Sequence, residues 1–173
     1  MFDTVFGIPV HALVVHAVVV LAPLTALLLV LAAVSEKLRA RIGIALPLLA
    51  TVTAASGYVA KESGESLERR LNGTGGELVE QHAELGDVLP LILIGVAVLS
   101  WVIYLVWKRT PRDAEAGTRK PSALLRVLLV VGVLAAVGLT VDVVLVGHSG
   151  AKAVWNGIGS QPAPQGGGDG DDG

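Results

Sequence analysis

An all-α integral membrane protein, a four-helix up-down bundle with both termini on the outer side, is what this sequence predicts. Three observations predict it. Four long apolar runs alternate with short polar segments. Only 16% of residues are Asp, Glu, Lys or Arg while 53% are hydrophobic, whereas soluble domains carry about 25% charged residues. The basic residues are also split unequally between alternate connections, which orients the bundle.

The first span, about 8–34, lies in the stretch FGIPVHALVVHAVVVLAPLTALLLVLAAV, which holds no acid and no Lys or Arg. A bilayer core needs about 20 such residues. A cleaved signal peptide would have a basic start and an apolar core of about 7–15 residues. Here the start is MFDTVFG and the run is longer, so a retained helix is expected. It begins near Ile8 or Pro9, because a first-turn proline lacks only an N–H that would have no partner. Pro23 predicts a kink. The segment SEKLRAR, from Ser35 to Arg41, reads as a short basic turn.

The second span, about 42–61, carries Pro47, Thr51, Thr53, Ser56 and Gly57. Small and hydroxylated residues suit close helix contacts in lipid. The pattern stays helix-compatible to Leu71, so the helix projects beyond the membrane. Asn72-Gly73 marks a turn, and Thr74 with Glu77 fits a capping box for the next helix.

The third span, about 85–107, follows acidic first turns with Glu77, Glu80, Glu84 and Asp87 around His82. Trp101, Tyr104 and Trp107 crowd its far end, as an aromatic belt at the headgroups would. After the polar, mostly basic connection 108–121 comes the fourth span, about 122–148. Gly132, Ala136 and Thr140 form a small-residue stripe along it, and Trp155 beyond it is a second interface anchor. The transmembrane domain is 1–159. The Gly/Asp-rich tail 160–173 has nothing apolar to bury and is expected to be disordered.

Four spans put both termini on one side. The connections 35–41 and 108–121, with Arg126, hold nine of the thirteen basic residues. Those loops are therefore cytoplasmic, and the termini and loop 62–81 lie outside the cell membrane. The chain has no cysteine, so disulfides and thiolate sites are excluded. No basic domain exists to hold nucleic acid. No nucleophile elbow or zinc-protease helix motif occurs, which disfavours an enzyme of the hydrolase kind.

The chemistry-bearing residues are four histidines, all at or near the outer end: His11, His16, His82 and His148. Two readings stand. They are solvated or hydrogen-bonded imidazoles, or at least two of them converge on haem b or a transition metal, because neutral imidazole is the commonest metal ligand and bundle cores hold cofactors. His11 and His16 point about 140° apart and do not share a helix face. His16 with His148 is the first expected pair, on estimated height, and His11 with His82 the second. Glu80, Glu84 and Asp87 are candidate acceptors that would orient a ring. Gly57 and Gly147 would leave room for a ligand. Asp142, the one acid within the apolar part of a span, is a functional candidate by default. It is expected to meet an imidazole, or Thr51, Thr53 or Ser56.

The stretches FGIPVHALVVHAVVVLAPL, QHAELG and GHSGAKAVW resemble a family of small bacterial four-helix membrane proteins catalogued as domain of unknown function 2231. The family's usual opening is similar to His-Pro-x-x-Val-His-x-Pro. Ala12 stands where proline is common, and Ala17 and Val18 replace an aromatic-proline pair; His11 and His16 are kept. Gly147 to Ala151 match its closing Gly-His-x-Gly-Ala. The resemblance reaches about Gly159 and implies the fold and the membrane, but no activity. The functions open at this point are a haem or metal protein passing electrons from quinol to an outer acceptor, an accessory subunit to other membrane redox or transport subunits, and a proton or ion pathway through Asp142.

Overall fold

The computed structural model describes residues 4–71, 76–113 and 119–156. The expected Asn72-Gly73 turn, the Thr74 half of the capping box and the tail lie outside them. The described chain is all-α apart from one small hairpin. Strands β1 (Thr4–Val5) and β2 (Ile8–Pro9) pair antiparallel, Thr4 opposite Pro9 and Val5 opposite Ile8. Phe6 and Gly7 turn between them with φ of 51° and 81°, the left-handed pair that a two-residue hairpin turn needs. Helix α1 thus starts at Val10 rather than at Ile8 or Pro9, and runs to Val34 with Pro23 inside it.

The basic turn expected at 35–41 is a helix. In α2 (Glu36–Ile42) the Ser35 hydroxyl accepts from the Leu38 N–H at 3.4 Å, an N-cap that satisfies one of the orphan donors of a helix start. Gly43 ends α2 at φ 50°, and α3 (Ala45–Leu71) leaves at an angle of 62° to it. Pro47 falls in the first turn of α3, where a missing N–H costs nothing. Helix α4 spans Gly76–Arg109. Helix α5 spans Ala123–Trp155 behind a Ser122 cap, two turns longer than the expected end at 148.

Each long helix packs on the next, α1 on α3, α3 on α4 and α4 on α5, and α5 closes on α1. Hence α1 and α4 occupy opposite corners, as do α3 and α5. The buried stripes repeat every three or four residues, as the helical period requires. In α1 they include Ala22, Thr25, Ala26, Leu29 and Ala32; in α5, Leu125, Leu129, Gly132, Ala136, Leu139 and Val143. Thr140, expected in this stripe, is exposed: steps of four drift off a 3.6-residue period. Gly132 lets α5 approach, since an added Cβ would stand 3.3 Å from Leu29 and Ile103. The Thr25 and Thr53 hydroxyls meet at 3.0 Å between α1 and α3, both fully buried.

The outward faces are as apolar as the core. Val20, Leu91, Val130, Leu134 and Val144 are each more than 60% exposed. Water would not tolerate a continuous surface of that kind, and lipid does. Among the described residues three helices, α1, α4 and α5, are long and apolar enough to cross a membrane, and α2 with α3 makes a fourth if the bent pair is one span.

Candidate functional site

The polar centre of the fold lies where residues near the starts of α1 and α4 meet the later turns of α3 and α5. His11 reaches from α1 to α3, its Nδ1 2.8 Å from the Ala60 carbonyl oxygen. His82 reaches from α4 to α5, its Nδ1 3.0 Å from the Ser149 hydroxyl. The two rings face each other edge-on across the bundle, centroids 6.3 Å apart and planes at 71°. Two side chains therefore tie four helices at one level.

The proton positions follow from the partners. A carbonyl only accepts, so His11 Nδ1 is the donor. The Ser149 hydroxyl donates to the Val146 carbonyl at 2.9 Å, so toward His82 it accepts, and His82 Nδ1 donates as well. Each neutral ring then carries its lone pair on Nε2. The hydrogen bonds of both rings to Ala60 and Ser149 run through Nδ1, and the His82 ring is also held by the Val146 backbone carbonyl. His82 is half-buried, and that burial, with His11 close by, holds its pKa below the ordinary imidazole value.

Two helical glycines make room for the rings. A Cβ on Gly64 would stand 3.0 Å from His11 Cε1, and one on Gly150 would stand 3.0 Å from His82 Cε1. Gly64, Ser149 and Gly150 shape the surroundings of the imidazole pair and were not among the residues singled out from the sequence. The available signal was glycine inside a helix, which costs about 1 kcal/mol against alanine and needs a reason.

The structure distributes the other candidates differently from the expectation. His16 is exposed, its Nδ1 on the Ala12 carbonyl of its own helix at 2.5 Å. His148 is also exposed, because it points away from the face that carries Ser149. Asp87 binds Lys61, which also holds Glu65 at 2.9 Å, and Lys61 keeps the Glu65 carboxyl below its usual range. Glu80 and Glu84 are exposed. The ring of His82 is oriented by Ser149 instead of these acids. Gly57 leaves no room for a ligand: Leu93 fills the space above it. Gly147 has nothing within 4 Å of a built Cβ.

Asp142 lies on α5 seven residues before Ser149, two turns along the same face, or about 10 Å. Its Oδ2 is buried without a hydrogen-bond partner among the described residues. The hydroxyls expected to meet it are on α3, diagonally opposite, and bond their own helix instead: Thr51 to Pro47 at 2.7 Å, Thr53 to Leu49 at 2.8 Å, Ser56 to Val52 at 3.0 Å. The aromatic belt is also divided. Trp101 gives its N–H to Thr51 at 3.1 Å, whereas Trp107 is 8% exposed and belongs to the core.

Among the described residues no group of three or more His, Asp or Glu is arranged to hold a metal ion. The site is a pair of imidazoles. No curated protein and no solved structure matches the chain. Residues 7–162 match the family model described as predicted membrane protein, DUF2231, which covers β2, all the helices and both imidazoles. The chain therefore belongs to this family of membrane proteins of unknown function.

Proposed function

We propose that the protein is a four-span, up-down bundle of the cell membrane with both termini outside, and that His11 and His82 bind a transition-metal ion at its outer end. One observation carries the reading: both rings donate through Nδ1 to a fixed acceptor, which leaves Nε2 as the ligand atom on two rings whose centroids are 6.3 Å apart. Metal-binding histidines are oriented in this way, with the second nitrogen tied to a carbonyl or another acceptor. Copper heads the affinity series for nitrogen ligands. Two protein ligands leave coordination positions open to water or an outer partner, which suits exchange of an ion or an electron.

Haem b fits less well than a bare ion. Gly64 and Gly150 bring helix backbone against the Cε1 edge of each ring, and a macrocycle would need a slot there. His16 and His148, the other haem candidates, are exposed.

The test is metal analysis of full-length protein purified in detergent and loaded with copper, zinc or iron, together with its absorption spectrum. About one copper per chain is expected, lost in His11→Ala and in His82→Ala and retained in His16→Ala and His148→Ala. A Soret band that depends on His16 and His148 would return the haem reading. No metal and no Soret band would leave an accessory membrane subunit without chemistry.

A proton pathway is the second reading, favoured by Asp142. Its buried oxygen, without a partner among the described residues, sits two turns along α5 from the residue that holds His82, and an intramembrane carboxylate is costly unless it is used.

A further inference from the structure

The opposite end of the bundle holds a second polar site, unrelated to the histidines. Arg39 on α2 is folded inward and is 7% exposed. Its Nε donates to the Ala32 carbonyl at 2.9 Å, closing the end of α1. Its Nη1 is buried with no partner among the described residues, and the same is true of the Trp107 indole N–H. Both side chains line one small cavity, with Ser100, Tyr104, Ile42 and Gly43. There is room in it for about one oxygen-sized atom.

The wall of this cavity is unbalanced. It presents a guanidinium and an indole N–H, and no carboxylate lines it. Ser100 already gives its proton to the Val96 carbonyl at 2.7 Å. Buried donors without acceptors are costly, and a buried charge without a counter-charge more so. Glu36 acts on the guanidinium from three residues away on α2 but does not line the cavity, so a group that accepts both hydrogen bonds and carries negative charge would complete the wall. A water molecule would meet the first condition only.

The surroundings indicate the source of the anion. Arg119 stacks on the Trp107 ring, its guanidinium 5.3 Å from the ring centroid. Lys37 and Arg41 flank Arg39 on α2, and Lys108 and Arg109 follow Trp107. Ile44, Leu48 and Leu105 are exposed nearby in the chain, an apolar surface for acyl chains. Basic pockets between membrane helices on the side with excess Lys and Arg are the usual seats of anionic headgroups.

We propose that the cavity between Arg39 and Trp107 binds one phosphate oxygen of an anionic phospholipid headgroup. Arg39 Nη1 and Trp107 Nε1 donate to that oxygen, and the rest of the headgroup lies outside among the basic residues. The bent α2 is the element that carries the guanidinium over the end of the bundle.

The experiment measures the melting temperature of the full-length protein in detergent against short-chain phosphatidylglycerol, short-chain phosphatidylcholine and inorganic phosphate. A saturable rise is expected with phosphatidylglycerol alone. Arg39→Gln should weaken its apparent affinity by about tenfold, the loss of a charge-assisted hydrogen bond, and Trp107→Phe by a smaller factor. An equal rise with inorganic phosphate would show a free-anion site, and an equal rise with phosphatidylcholine would show no preference for negative lipid; either overturns the assignment. No rise with phosphatidylglycerol, or a rise unchanged in both variants, would mean that the cavity holds only water. Should Arg39→Gln fail to fold, Trp107→Phe decides, since it keeps the ring and removes only the donor.

Discussion

The imidazoles of His11 and His82 stand edge to face with centroids 6.3 Å apart, although 71 residues separate them in the chain. Helices α1 and α4 are otherwise on opposite corners of the bundle. The contact is possible because Gly64 and Gly150 carry no side chain where the rings lie. Gly64→Ala and Gly150→Ala should each displace a ring and cost about 1–3 kcal/mol, the range for overpacking. Gly138→Ala, where a Cβ meets nothing within 4 Å, should be neutral or stabilising by up to about 1 kcal/mol. Unfolding in denaturant, measured in detergent, reads all three.

Acid should loosen this end. Burial and the neighbouring His11 hold the His82 pKa below its ordinary 6.5 in the folded protein. At pH values above 6.5 the ring is neutral folded or unfolded, and its contribution is complete. As pH falls from there, the unfolded chain takes up the proton more readily, so stability declines until the folded value is passed. The melting temperature of the wild type should drop below about pH 6.5, and that of His82→Gln should drop less. Equal acid sensitivity in the two proteins would place the cause elsewhere.

Thr25 and Thr53 should couple weakly. Each hydroxyl has one proton and lies 2.8 Å from a carbonyl of its own helix, Leu21 or Leu49, so the mutual bond competes with those bonds for a donor. A double-mutant cycle with Thr25→Val and Thr53→Val should give about 0.6 kcal/mol, typical of interhelical hydrogen bonds in membranes. Coupling above about 2 kcal/mol would indicate that the pair organises the α1–α3 contact by itself.

Leu93 of α4 packs directly onto Gly57 of α3. A Cβ added to Gly57 would collide with a Leu93 methyl, and Leu93 is 1% exposed. Gly57→Ala should cost about 1–3 kcal/mol. Adding Leu93→Val should recover part of that loss, where independent sites would simply add.

Orientation is tested on intact cells. The cytoplasmic placement of the connection rich in Lys and Arg rests on the positive-inside rule. A single cysteine at Gly168 should react with an impermeant thiol reagent, and one at Ala116 should not. The reverse pattern would invert the bundle and place the histidine pair inside.

The sequence by itself determined the class of molecule. Apolar runs longer than a bilayer core needs, few charges and clustered basic residues admit one solvent for this chain, and these are sums over many residues that no single contact can overturn. Caps were less legible: the box read at Thr74 and Glu77 falls partly outside the described residues, and Ser35 opens a helix in a segment that reads as a turn. The site depended on three-dimensional position. Height along a helix follows from residue number, so all four histidines could be assigned to one end. Which side of the helix each one faces depends on a rotation set by packing, and a step of 100° per residue turns small errors into opposite faces. Packing turned His11 and His82 inward and left His16 and His148 outside. It also buried Arg39, which composition counts only as one more basic residue. The local rules stop at the helix surface; the pairing of Nδ1 donors with Ala60 and Ser149, and the burial of Arg39 Nη1 without a partner among the described residues, exist only once four helices share a core.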